Sequence, residues 1–264
     1  LSPESGAPGE TEGTVESPTE WKRRFFVQPE VVEAPRIAEV ASFAEYDAVI
    51  LADVPRLPAE TALKLSDYVQ GGGGLLVAPG KRALAAFYNA WATGAGDRVM
   101  PAVMEERAIV PAAEGAQAGV SPALSTFSHE ALTLVANPDR SDIGTAILSA
   151  YWKLQPWGQD PAVQTGGMLD SGDPWLVERR LGEGRVCLLS SSLDNEAGDL
   201  ATRQSFVPLV HELAYHLADA GMARINIEPG AEIALRLPVR KPGMQASAAP
   251  SPAVPERTFD TKAI

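Results

Sequence analysis

Residues Tyr46 to Gly80, YDAVILADVPRLPAETALKLSDYVQGGGGLLVAPG, restrict the fold more than any other stretch, because they read as strand, helix and strand with every boundary marked. Asp47 to Ala52 is a short apolar run between polar residues and prolines, the pattern of a strand enclosed on both faces of a parallel sheet. Pro58 stands where a helix's first turn has no use for an N–H, and Ala62, Leu65 and Val69 then recur at helical spacing until Gly71. Four glycines lead into Leu75 to Ala78, a second enclosed strand. Strand, crossover helix and parallel strand, a unit that is right-handed in about 98% of cases, place the chain in the α/β class.

Composition narrows the function classes. The chain has 264 residues, 45% hydrophobic and 21% charged, enough to bury a core. A formal charge of -12, from 22 basic and 34 acidic residues, argues against nucleic acid, whose phosphates call for a basic surface. An acidic membrane surface is an equally poor direct partner. The single cysteine, Cys187, allows no internal disulfide and no multi-cysteine metal site. No run approaches the ~18 to 20 apolar residues of a membrane-spanning helix. A first residue of Leu1 suggests a piece of a longer parent.

Outside the organising unit, 1–22 is rich in Glu, Pro, Ser, Gly and Thr and reads as a flexible lead-in. An α/β domain is expected over 23–222. Within it Arg23 to Val32 suits a strand bent at Pro29, and Ile37 to Phe43 suits either a short helix or an extended piece. Leu84, Phe87, Tyr88 and Trp91 place a strongly amphipathic helix over Lys81 to Ala92. Ala108 to Val110, Ile147 to Leu154 and Ala162 to Met168 look extended, with loops and short helices over Ala112 to Asp142. Trp175 to Leu181 and Arg185 to Ser190, separated by Gly182, Glu183 and Gly184, read as a hairpin. Gln204 to Ala220 is the longest helix, with Phe206, Leu209, Val210, Leu213 and Leu217 on one stripe. A second hairpin is expected over 223–240, where a following β module would start, then a Pro/Ala/Ser-rich tail over 241–264.

Together YDAVILADVPRLP, YVQGGGGLLVAPG, WLVERRLGEGRVCLLSSSLD and RQSFVPLVHELAYHLA resemble the class I glutamine amidotransferase-like domain. The version they resemble occurs in large bacterial membrane-anchored proteins of the aerotolerance type, downstream of a von Willebrand factor A domain. The resemblance runs from about Phe25 to Met222. It implies a flavodoxin-like, mostly parallel sheet flanked by helices, and a parent at the bacterial cell membrane, on a side left open. Catalytic members carry a cysteine in G-x-C-x-G on the turn after the strand equivalent to Leu75 to Ala78, and a His-x-Glu pair near the last helix. Here the turn reads Val77, Ala78, Pro79, Gly80, with no thiol or hydroxyl, and Pro79 offers no N–H to an oxyanion. The resemblance therefore implies a non-catalytic structural or interaction module with no cofactor, whose partner is a protein or another domain of the parent.

The remaining candidates are weighed residue by residue. In HELAYH, His211 and His216 lie five apart, about 140° around a helix, where the zinc motif H-E-x-x-H needs i and i+4. A solvated and a partly buried histidine are expected, and no metal site. The glycines around Leu75 do not fit a phosphate loop, since Leu75 and Arg82 occupy positions that need Gly and Ser/Thr. Trp91, Trp152, Trp157 and Trp175 could stack on sugar but read as packing. Asp53, Gly80, Ser191, Ser192 and Asp194 fall just after carboxyl ends of expected strands, where open α/β sheets bind ligands. With Ser190, Glu196 and Asp199 nearby, they form the candidate ligand-binding set. A divergent hydrolase, or a domain binding carbohydrate or another small ligand there, is the alternative function.

Cys187 lies mid-strand between Val186 and Leu188 with no histidine near in sequence, so it reads as a packing residue with an inert thiol. The thiol is expected to resist a thiol reagent in the native protein and to react once urea unfolds it. Fast native labelling would place it on a wet face.

Overall fold

The computed structural model describes residues 27–111 and 119–218. The chain divides into two units, 1–223 and 224–264, and the described residues belong to the first. The lead-in over 1–22, the hairpin over 223–240 and the tail over 241–264 lie outside the described residues.

Five strands form the main sheet in the order β1 (Ala48–Ala52), β2 (Gly74–Ala78), β7 (Gly184–Leu189), β6 (Pro174–Leu181) and β5 (Val163–Met168). β1, β2 and β7 are parallel, and β7, β6 and β5 are antiparallel. Helix α1 (Ala59–Gln70) connects β1 to β2, and Gly71 and Gly72, the latter at φ 111°, turn the chain out of it. The expected β6–β7 hairpin is present, with Gly182 at φ 62° in its turn.

Each central strand is dry on both faces because its residues alternate between two cores. Leu75, Val77, Val186 and Leu188 join Leu65 and Val69 of α1, Tyr88 of helix α2 (Ala85–Ala90) and Trp91. Leu76, Ala78, Cys187 and Leu189 join Leu209, Leu213 and Leu217 of helix α3 (Phe206–Ala218) and the 3-10 turn Glu130–Val135. All five residues of β2 are buried, as their lack of polar alternation implies. A separate antiparallel pair, β3 (Ala102–Ile109) and β4 (Ala150–Pro156), reaches the ends of the main sheet. There Trp152 donates its backbone N–H to Ser190 O at 2.7 Å and its indole N–H to Gly80 O at 2.9 Å.

Several expectations are corrected. The α/β class with a sheet flanked by helices stands, but the sheet is mixed: β1, β2 and β7 run parallel, and β6 and β5 extend it as an antiparallel hairpin. β1 is not enclosed on both faces: it is an edge strand, and Ile50 on its α3 side is 38% exposed. The amphipathic helix over Lys81 to Ala92 shrinks to Ala85–Ala90, because Lys81 and Arg82 form a turn and Leu84 caps the helix half-exposed. Consequently Gly80 does not feed straight into a helix. The strand around Ala108 is longer than its apolar core suggests, since β3 continues through Glu105, Glu106 and Arg107 with their side chains largely in water. Residues 27–33 carry no regular structure.

Gly184 starts β7 where a methyl group would sit 2.2 Å from the carbonyl oxygens of both Val69 and Gly73. Gly184→Ala should therefore destabilise the domain by about 1–3 kcal/mol, as overpacking against fixed backbone does. Urea denaturation measures this, and a change below about 0.5 kcal/mol would show that α1 yields easily.

Candidate functional site

The structure brings part of the strand-end set together and gives most of its side chains hydrogen-bond partners. β1 ends in Asp53, a buried non-glycine residue in the left-handed region at φ 46°. Its carboxylate accepts hydrogen bonds from the backbone N–H and the Nε of Arg82, both at 2.9 Å. Gly80 must be glycine for that pairing, because a Cβ there would lie 2.5 Å from Asp53 Cγ. After β7, Ser191 Oγ accepts from the Trp175 indole at 3.1 Å, and Ser192 donates to Asp194 at 2.8 Å. Asp194 also accepts the Glu196 backbone N–H, and Glu196 pairs with Lys81. Asp53 thus ties the end of β1 to the loop after β2, and Asp194 holds the loop after β7, which Glu196 links back to Lys81. Ser190 Oγ, fully buried, is the one hydroxyl of this edge without a hydrogen-bond partner among the described residues.

A second cluster, invisible at sequence level, lies within the α3-side core. Glu178 of β6 and Cys187 of β7 are direct cross-strand partners. Over them sit His129, which caps the Glu130–Val135 turn, and His216 of α3, their rings edge to face with centroids 4.5 Å apart. His129 fits because β5 carries Gly166 beneath it, where a Cβ would lie 2.6 Å from the histidine's own. Its Nδ1 accepts the Ala131 backbone N–H at 3.2 Å, which puts the ring proton on Nε2, the atom 3.0 Å from Glu178 Oε2. His216 Nε2 lies 2.5 Å from the same oxygen and the Cys187 thiol 3.5 Å. Arg185 Nη1 lies against the His216 ring, 2.8 Å from Nε2 and 3.1 Å from Nδ1, and the exposed Glu130 carboxylate lies 3.7 Å from Nδ1.

Three groups, His129, His216 and Cys187, therefore meet around one Glu178 carboxylate oxygen, from sequence positions up to 87 apart (216 − 129). Burial pushes the Glu178 carboxyl up, but hydrogen bonds from His129 and His216 and the charge they can carry outweigh it and hold the carboxyl well below its ordinary range. Burial, reinforced by the Glu178 charge, pushes the Cys187 thiol well above its ordinary value. This agrees with an inert thiol, but the idea that no histidine stands near it is corrected: His129 and His216 both lie within 4.8 Å. The cluster can hold a proton or a metal ion. It cannot act on a bulky substrate, because Cys187 and the His129 side chain are completely enclosed.

His211 is half-buried and rests edge-on against Tyr215, so the two histidines of HELAYH do not meet, as their spacing implies. The tryptophans pack: Trp91, Trp152 and Trp175 are buried, and Trp157 carries Arg98 over its ring at 4.2 Å.

No family model matches the chain, and no curated protein does. Solved structures do. The cytoplasmic protein STM1381 from Salmonella typhimurium LT2 is 20% identical over 75% of this chain and 85% of its own, with a TM-score of 0.55. The cytoplasmic protein STM3548 from Salmonella typhimurium is 16% identical over 73% of this chain and 76% of its own, with a TM-score of 0.50. A β-galactosidase from Rahnella sp. R3 is 14% identical, over 72% of this chain and 25% of its own, and its TM-score of 0.46 is too low to carry an argument. At such identities the likeness is one of fold alone. These neighbours replace the amidotransferase-like resemblance: its motifs are enclosed strands with their turns, which unrelated α/β folds share. The membrane-anchored envelope parent falls with it. Both Salmonella proteins are described as cytoplasmic, and no helix among the described residues is long and apolar enough to cross a membrane.

Glu178 makes a pH prediction. A carboxyl whose folded pKa is depressed contributes stability above its unfolded pKa, about 4.3, and loses it as pH falls toward the folded value. The groups facing it are His129, Glu130, Cys187, Arg185 and His216. In chelator-treated protein near pH 5, Glu178→Gln should cost about 1.5–3 kcal/mol, the range for a charge-assisted hydrogen bond. Below pH ~4 the gap to wild type should close by about 1.4 kcal/mol per pH unit. Urea denaturation at several pH values tests this, and a constant gap would mean that the carboxyl is not ionised in the fold.

Proposed function

We propose that this domain works by binding and not by catalysis, and that its docking face is the groove beside β1. The observation that carries this reading is that, among the described residues, one edge of β1 is unpaired and its α3-side face is only partly covered. No other strand pairs with its outer edge among the described residues, and its α3 side forms the floor of a groove of about 880 Å³. Ile50, Ala48 and Ala52 make the floor, and Ala214, Tyr215 and Ala218 of α3 make one wall. Apolar side chains stand in water there, Ile50 at 38%, Tyr215 at 41% and Val31 at 92% exposure. Four carboxylates line it, from Glu30, Glu33, Glu45 and Asp47, against one cation, Arg82.

That chemistry selects an extended protein segment alternating apolar residues with lysine or arginine. Its backbone would add a strand to β1, its apolar side chains would meet Ile50, and its cations would meet the acidic rim. A second reading, a small polar ligand such as a carbohydrate at the strand edge near Asp53 and Asp194, is favoured by one observation, the unpaired Ser190 Oγ.

A capped peptide of alternating valine and lysine should bind the full chain with an affinity that falls as salt rises. An otherwise identical valine and glutamate peptide should not bind. Ile50→Asp, checked for folding by circular dichroism, should weaken the first peptide at least ten-fold, about 1.4 kcal/mol. Equal binding of both peptides, or an unaltered affinity in Ile50→Asp, would reject the groove. Saturable binding of a galactoside, lost in Ser190→Val, would support the second reading instead.

A further inference from the structure

We propose that His129, Glu178, Cys187 and His216 form a binding site for a zinc-class divalent transition metal. The donors are two imidazole nitrogens, one carboxylate oxygen and one thiol sulfur, all within 4.8 Å of one another. Zinc bonds of about 2.0–2.3 Å to such donors place neighbouring ligands roughly 3.4–3.7 Å apart at the corners of a tetrahedron. Side-chain shifts of up to about 1 Å close the observed cluster on an ion: the widest donor pairs, at up to 4.8 Å, draw in, while Glu178 Oε2 moves out from His216 Nε2 at 2.5 Å and His129 Nε2 at 3.0 Å. Two nitrogens and a sulfur exclude calcium and magnesium, which take oxygen ligands, and favour zinc or cobalt.

Charge supports the same assignment. Glu178 and a Cys187 thiolate together cancel the two charges of the ion. A thiol so deeply enclosed stays protonated on its own, but a coordinated one gives up its proton to the ion's field. Metal at the two Nε2 atoms displaces the His129 proton now aimed at Glu178 and the Arg185 guanidinium now against His216 Nε2. It also moves the His129 proton to Nδ1, which breaks only the long cap bond from Ala131, and turns Arg185 away from the His216 ring. Glu130, 3.7 Å from His216 Nδ1, lies on the side of the ring where Nδ1 carries its N–H once Nε2 is bound. The ion has one visible approach, past His216, whose side chain is 9% exposed where the other ligands are at most 4%.

The lone cysteine makes the test unambiguous. Full chain stripped with chelator and titrated with Co²⁺ should take up one ion and develop a sulfur-to-cobalt charge-transfer band with the strong visible absorption of a tetrahedral centre. Zn²⁺ should bleach both stoichiometrically. Because Cys187 is the only thiol, such a band identifies the site in wild-type protein without any variant. His129→Gln and Cys187→Ser should weaken cobalt binding at least ten-fold, and His211→Gln, outside the cluster, should leave it unchanged. Absence of a charge-transfer band in wild type, or binding as weak as in Cys187→Ser, would overturn the proposal and leave the cluster as a hydrogen-bonded buried carboxylate.

Discussion

Strand β7 is the constraint on which the rest of the molecule depends. It pairs parallel with β2 on one side and antiparallel with β6 on the other, so the sheet changes character across it. Val186 and Leu188 face one core while Cys187 and Leu189 face the other. A strand with a neighbour on each side and a layer on each face has its free groups only at its ends. At its carboxyl end Ser190 already gives its carbonyl to Trp152 and its N–H to Trp175. The edge where an open α/β sheet offers a ligand its strand ends is therefore partly roofed by β4.

The buried carboxylate follows from the same arrangement. Register places Glu178 opposite Cys187, on the face that α3 must cover. An uncompensated carboxylate in such a layer costs several kcal/mol, so the covering elements have to bring donors. His129 and His216 do so from a 3-10 turn and a helix, and Gly166 supplies the room that the first of them needs. Three local features, a glycine in β5, a histidine cap and a histidine beside the α3 stripe, are one solution to a single buried charge.

Local signals made much of the fold legible. Dry strands announce themselves as unbroken apolar runs, and β2, β7 and the glycine turn between β6 and β7 all stand where such signals put them. What failed was whatever depended on neighbours far along the chain. Nothing in AVILA says that β1 lies at an edge. Leu84, Phe87, Tyr88 and Trp91 keep helical spacing, yet the first caps a helix of under two turns because Arg82 is held by Asp53. The strand-end set was found by topology, but its residues were already paired by partners, Arg82 and Trp175, that spacing does not reveal. The histidine cluster left one trace only, a glutamate at an inward position of WLVERRL, where an apolar residue would be expected of a buried strand.

Helix α3 ties the two proposed sites to one packing decision. Leu209, Leu213 and Leu217 recur every four residues and seat the helix over the middle of the sheet. His216 stands beside this stripe and reaches Glu178, whereas Ala214 and Ala218, about 200° from it around the helix, turn toward β1 and are too small to fill the space above Ile50. A helix seated so that its histidine meets the buried carboxylate is thus a helix that leaves β1 uncovered. Had positions 214 and 218 carried leucine, the groove would close and Ile50 would join the core. Among the described residues the open face is a consequence of small side chains at two positions, while the opposite side of the same helix is fixed by the contact of His216 with Glu178.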